Sequence, residues 1–381
     1  MKITDLKVYV IDRHGKGSAE EAWTFVQLDT DAGITGFGEA TNYPGNGSLI
    51  VGDAIRRSRE FIVGEDPADI NRLWHKLYRK FTYLGSRGMP TALISGIDIA
   101  LWDILGKATG RPIYALLGGK IRDDIRLYAN GWFSGCSTPD DYAAAAKRTV
   151  ALGHTALKCD PFNEMLPFHT AFVDGQISPA GEELGVNIIA AMRAAVGPAI
   201  EILIDAHGHY NVPTAVRIAR RLEPLNIAWF EEPVPPDSLQ ALRSVREQVN
   251  VPICLGERTY TRFDVAPILE AGLTDFLMAD VVWTGGISEL MRISTLAEVY
   301  QVPMSPHNAM GPIQVIAGAH AMLTVPNFYR LEHSLASIPD YQACLNEPLD
   351  FVGERLRVSD RPGLGHTLNL EYLREKAVKG F

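Results

Sequence analysis

Three acids close three successive apolar runs: Asp205 in "LID", Glu231 in "WFE" and Glu257 in "LGE". Their spacing stays at roughly 25 residues, the length of one strand-loop-helix unit. Three carboxylates gathered at one place repel each other unless a cation lies among them. An all-oxygen set selects a hard cation, and an octahedral site that keeps positions open for a substrate points to Mg2+. One acid at a strand end is more often the cap of the helix that follows, where the dipole favours it. Three in the same register argue against that plainer reading.

The next two run ends bring acid-base chemistry. Asp280 closes "FLMAD", and His307 stands in "PMSPHN" one unit later. A carboxylate beside an imidazole fixes its tautomer and raises its pKa, which makes a general base. His207 follows Asp205 by two positions in "IDAHG", so strand alternation sends both to the same side. That puts a second imidazole near the metal, approaching from another direction. Lys158 and Asp160 share a face in "ALKCD" by the same rule, while Cys159 points the opposite way and packs. Glu332, in the last run, either holds a substrate or meets a helix terminus. His209 and His320 read equally as surface or packing residues.

The elements that must position these groups are eight apolar runs alternating with helical segments. They are "IRLYANGWF", "ALKCDPF", "EILIDAHG", "IAWFEEP", "VPICLGE", "DFLMADV", "VPMSPHN" and "NFYRLEHS". The chain is of α/β class. Eight repeats of this kind predict a barrel of parallel strands whose C-terminal ends meet at one mouth. An open doubly wound sheet is the competitor, but no glycine-rich phosphate turn follows the first run. Residues 1–125 read instead as α+β. Two strand-like runs carry "DTDAG" as a hairpin signal, a helix starts after "EDPAD", and "TALISGIDIALWDILGKATG" is apolar on most of its circumference, as a buried helix is. The expected division is therefore 1–125 and a barrel over 126–350, with the tail 351–381 packing back on the first domain. The stretch 161–183 is longer than an ordinary strand-to-helix loop and could reach over the mouth.

Composition excludes other classes. With 46% hydrophobic and 21% charged residues the chain reads as globular, and a net charge of -9 argues against nucleic acid or an anionic membrane surface as partner. The N-terminus lacks the apolar core of a signal peptide, and no window holds the uninterrupted apolar run of a membrane span. Four cysteines without close pairing suit a reducing compartment, so the expected location is cytoplasmic.

In combination, "SGIDIALWDILGKATGRPIYALLGGK", the three ligand strands and "DVVWTGGISELMRISTLAEVYQVPMSPHN" resemble the enolase superfamily in its mandelate racemase-like branch. "IDAHGHY", "WFEEPV" and "LGERTYTRFD" are most similar to its acid-sugar dehydratases of the galactonate dehydratase type. The resemblance implies a modified (β/α)7β barrel of TIM type under an N-terminal α+β capping domain. Two cap loops, near 13–22 and 42–50, would help select the substrate. It further implies Mg2+ on Asp205, Glu231 and Glu257, with His307, oriented by Asp280, taking the C2 proton of a small-molecule sugar acid. His207 would protonate the departing 3-hydroxyl, and Lys158 and Glu332 would contact the substrate carboxylate from opposite sides. A homo-oligomer is also implied. One departure stands out: racemases of this branch carry Lys-x-Lys on the second strand, and the second lysine is here Asp160. That weakens two-sided proton transfer and leaves Asp160 either to orient Lys158 or to bind a substrate hydroxyl. Against water elimination stand an epimerase or lactone cycloisomerase using the same enolate, and a binding scaffold without catalysis.

Overall fold

The computed structural model describes residues 1–13, 22–42, 46–162 and 174–381. Of the two expected cap loops and the 161–183 insertion, residues 14–21, 43–45 and 163–173 lie outside the described residues.

The N-terminal part is an antiparallel sheet of β1 (Ile3–Ile11), β2 (Trp23–Thr30) and β3 (Thr35–Glu39), in that order. The helix Met89–Thr109 packs on β3 at backbone distance. A Cβ at Gly38 would lie 1.9 Å from the Gly96 carbonyl oxygen, so the close approach requires glycine. By length and composition this helix could cross a membrane, yet 83% of its most apolar window is buried. It joins the two halves of the molecule. Ser95 Oγ accepts from the Gly285 and Gly286 N–H groups, and Asp98 accepts from the Ser288 N–H and hydroxyl at the start of the helix Gly286–Val299.

The barrel strands are β4 (Ile125–Asn130), β5 (Ala156–Cys159), β6 (Glu201–Asp205), β7 (Trp229–Glu231), β8 (Ile253–Leu255), β9 (Phe276–Leu277) and β10 (Leu331–Ser334). They pair in parallel in chain order from β4 to β9, and β10 returns to β4. The seventh run, "VPMSPHN", forms only bridges at Met304, to Leu277 and to Phe328. Pro303 and Pro306 lack backbone donors and confine the ladder to the short stretch between them, where Met304 makes both bridges. The position is still pinned, because Ser305 N donates to the Leu277 carbonyl. Thr138, Ser178, Asn211, Ser238 and Thr261 cap the helices that follow strands, each by accepting a backbone N–H. Such caps contribute about 1 kcal/mol apiece and turn the chain from loop to helix on schedule.

Inside the barrel, Tyr128, Ala156, Leu203, Trp229, Cys254 and Met278 form one buried cluster. It makes a filled floor beneath the strand ends. All four cysteines are buried.

The tail departs from expectation. Its first part, β11 (Asp350–Val352) and β12 (Arg355–Arg357), is a hairpin that adds to the barrel, with Arg355 opposite Arg126 and Leu356 opposite Ile125. The alternation explains this: Leu356 is buried between two exposed arginines, as in a strand with one covered face. The return to the N-terminal part begins near Gly363, which exchanges backbone bonds with Arg111 and Ile113, and ends with Val378 N donating to Val10 O.

Candidate active site

β6 and β7 run side by side with Asp205 directly opposite Glu231, and Glu257 stands two residues beyond the end of β8. One oxygen of each lies within 4.8 Å of the others, and all three residues are buried. Lys158, on β5, reaches into the same space. Its Nζ is 3.0 Å from Asp205 Oδ2, 2.8 Å from Glu231 Oε1 and 3.1 Å from Glu332 Oε1. Burial opposes the ammonium charge, but the charges of Asp205, Glu231 and Glu332 prevail and hold the lysine pKa well above its ordinary value. Burial would also raise Asp205, yet His207 and Lys158 keep it below the usual carboxylate range. Glu231 goes the other way: burial and the Asp205 charge push it well up.

This imbalance tests the fit of a cation. One ammonium cannot neutralise Asp205, Glu231, Glu257 and Glu332 together, and Asp205 Oδ2 receives no hydrogen bond despite the ammonium nearby. The donor set is all oxygen, so Asp205, Glu231 and Glu257 could hold a hard divalent ion. Asp205 also belongs to a second cluster with Asp160 and His207. Burial, partly opposed by the His207 charge, lifts the Asp160 carboxyl to about 6.

The imidazole of His307 is held on three sides. Its Nδ1 lies 2.6 Å from Asp280 Oδ2, the Trp283 ring lies against it at 4.9 Å, and its Nε2 faces Glu257 Oε2 at 3.5 Å and Glu332 Oε2 at 3.9 Å. Burial disfavours the imidazolium, but Glu332, the Asp280 hydrogen bond and Glu257 raise the pKa to about 9. Asp280 is fully buried and accepts in addition from Val282 N and Gln314 Nε2.

His207 reaches the mouth by a different route from the one alternation suggests. β6 ends at Asp205, and His207 has φ +50, a left-handed turn secured by its N–H donating to Asp205 Oδ1 at 2.8 Å. Its Nε2 then stands 3.4 Å from Asp205 Oδ2. Burial works against its charge, but Asp205, Asp160 and Glu257 raise its pKa. Glu332 faces the cluster, accepting from Asn130 Nδ2 and Asn308 N, and is not at a helix end. Cys159 packs beside Met192, and His209 and His320 are buried.

Sequence reasoning missed several partners. Asn130 ends the first barrel strand and carried the same strand-end signal as the acids. Arg258 lies 3.2 Å from Glu232 Oε2 and 3.3 Å from Glu257 Oε1, steadying the third acid. Trp283, Asn308 and Gln314 gave no signal, since only packing brings them to the site.

The arrangement can bind a cation, accept a proton at one imidazole and present a second imidazole on another side. Comparison with known proteins gives a consistent picture. Residues 13–118 match the mandelate racemase / muconate lactonizing enzyme N-terminal domain, and residues 141–373 match the enolase C-terminal domain-like family. A D-gluconate/D-galactonate dehydratase of Picrophilus torridus is 32% identical over 99% of this chain and 94% of its own. A D-galactonate dehydratase of Pectobacterium atrosepticum is 32% identical with the same coverage. The solved structure of a member of the enolase superfamily from Salmonella Typhimurium superposes with a TM-score of 0.90, at 32% identity over 98% of both chains.

Proposed function

The chain belongs to the mandelate racemase / muconate lactonizing enzyme family of the enolase superfamily, and from that premise we propose that it is a Mg2+-dependent sugar acid dehydratase, a hydro-lyase acting on an aldonate or aldarate. The observation that carries the reading is a pair of imidazoles flanking one carboxylate trio: His307 Nε2 beside Glu257 and His207 Nε2 beside Asp205. The relatives named above, sugar acid dehydratases along nearly their whole length, support the same substrate class.

In this reading Asp205, Glu231 and Glu257 hold Mg2+. When bound there, the cation supplies Lewis-acid stabilisation of charge on the substrate carboxylate. Neutral His307 takes the C2 proton at Nε2 while Asp280 keeps Nδ1 protonated and bears the imidazolium that forms. Lys158 and Glu332 orient the substrate carboxylate, and Asp160 binds a hydroxyl or sets His207. His207 donates its proton to the 3-hydroxyl, which leaves as water. The C2–H and C3–O bonds break, a C2–C3 double bond forms, and the resulting enol becomes the 2-keto-3-deoxy acid. Asp160 in place of a second lysine favours this outcome over two-sided proton transfer. We assign the cap to residues 1–125 and the chemistry to 126–350.

The test is a panel of aldonic and aldaric acids with Mg2+, assayed for 2-keto-3-deoxy products. At least one should turn over efficiently. Deuterium entering C2 with the 3-hydroxyl retained, across the whole panel, would instead mean epimerisation.

A further inference from the structure

Glu39, the last residue of β3, is fully buried at the junction with the barrel and faces the first turn of the helix Pro312–Met322. Its Oε1 accepts from Gly311 N at 2.7 Å and from Thr41 Oγ1 at 2.7 Å, and its Oε2 accepts from Gln314 N at 3.0 Å. Gly311 stands at the N-cap and has no side chain with which to satisfy those donors. A Cβ there would come within 2.6 Å of Glu39 Oε1, so the helix surrenders its own cap to make room for a carboxylate from the other domain. Burial lifts this carboxyl to about 7 against the hydrogen bonds from Thr41, Gln314 and Gly311, and the charge it keeps suits the helix N-terminus.

Gln314 lies on that turn and its side chain runs toward the His307 dyad. The orientation of its amide follows from its neighbours. The Met310 N–H can only donate, and it meets Gln314 Oε1 at 2.7 Å, so the other end is the NH2 group, 2.7 Å from Asp280 Oδ2. The Val282 N–H donates to Asp280 Oδ1. With donors on both oxygens, Asp280 acts as acceptor toward His307, so that in the neutral imidazole Nδ1 carries the hydrogen and Nε2 keeps its lone pair for the mouth.

We propose that Gln314, held in place by Glu39 of the capping domain, is a positioning residue for proton abstraction: it commits Asp280 to accepting and so sets the tautomer of His307. The inference rests on the reading of His307 as the base. It makes docking of the cap a condition for a competent base, through a chain of contacts running from Glu39 to Gln314 to Asp280 to His307. A buried Gln that merely satisfied local backbone groups would need only its Oε1.

Three variants separate these roles. Gln314→Glu keeps an acceptor for the Met310 N–H but takes away the amide donor facing Asp280; Gln314→Leu removes both. Glu39→Gln weakens the helix cap without touching the dyad. Each is compared with the wild type for kcat and KM on the acid found by the panel, for thermal midpoint, and by NMR of 15N-labelled imidazoles, with His307→Asn used to assign the signal. For both Gln314 variants we expect kcat to fall about 10- to 100-fold with KM within about twofold. Read above pH 9, where the imidazole is neutral, the His307 signal should move from the Nδ1–H form toward a mixture, and Glu39→Gln should give a smaller change in the same direction. A folded Gln314→Glu variant with unchanged kcat and an unchanged tautomer signal overturns the proposal. If His307→Asn keeps full turnover, it is the assignment of the base that falls, while the tautomer signal still decides whether Gln314 sets the imidazole.

Discussion

Replacing His333 with Phe should make the protein markedly less sensitive to acid. His333 follows Glu332 on β10 and points away from the barrel mouth into the outer shell, where it stacks on His154 at 5.3 Å and packs by Phe351 at 5.3 Å. It is 1% exposed, and neither ring nitrogen has a hydrogen-bond partner. Burial, reinforced by His154, pushes its pKa from 6.5 down to about 3. The native ring is therefore neutral, while the unfolded chain takes up a proton as soon as the pH falls below 6.5. Stability from this group is fully present above pH 6.5 and is lost progressively as the pH falls toward 3. At pH 5 the unfolded state is favoured by a factor of about 30 through this one ring, or about 2 kcal/mol, against a few tenths of a kcal/mol or less at pH 7.5. Urea unfolding at pH 7.5 and pH 5, followed by tryptophan fluorescence, measures the difference. Between the two conditions the wild type should lose about 2 kcal/mol more than His333→Phe. Equal losses in the two proteins would refute the reasoning, whatever the absolute stability of the variant.

Other outcomes can be checked alongside it. His207→Asn should keep exchange of the C2 hydrogen with solvent deuterium while elimination falls by about 100-fold or more, read by NMR and by 2-keto-3-deoxy product. Glu231→Gln should abolish Mg2+-dependent turnover. In the wild type, chelation should stop turnover and lower the thermal midpoint, both returning on addition of Mg2+. Gly38→Ala should destabilise by roughly 3 kcal/mol or more in a thermal melt, since its methyl would meet the Gly96 carbonyl at 1.9 Å.

The readable part of the site lay at strand ends. Asp205, Glu231, Glu257 and Asp280 each close an apolar run and Glu332 lies within the last one, and parallel pairing delivers such positions to one mouth. His207 also arrives there, but through a left-handed residue that alternation does not describe. The seventh strand shrank to a single bridging residue because two prolines outvote an apolar pattern. What could not be read depends on contacts between remote segments. Gln314 matters because Glu39, 275 positions earlier, caps its helix, and Trp283 lies against His307 while its Nε1 donates to Thr41 O of the cap. Periodicity carries no information on such pairings. The hairpin of β11 and β12 was misplaced for the same reason: its alternation was legible, but not that the first residues of β4, Ile125 and Arg126, would take it.

The filled floor has a kinetic consequence. Tyr128, Leu203, Trp229, Cys254 and Met278 close the barrel directly below the carboxylates, so traffic must use the upper opening. The carboxylate trio lies deep, and the His207 side chain, 27% exposed, lies nearer that opening. Under the proposed function, the cation has to enter before the sugar acid and leave after the product, as the first object loaded into a well is the last retrieved. A chelator added to enzyme saturated with substrate should therefore act more slowly than on resting enzyme, at a rate limited by product departure.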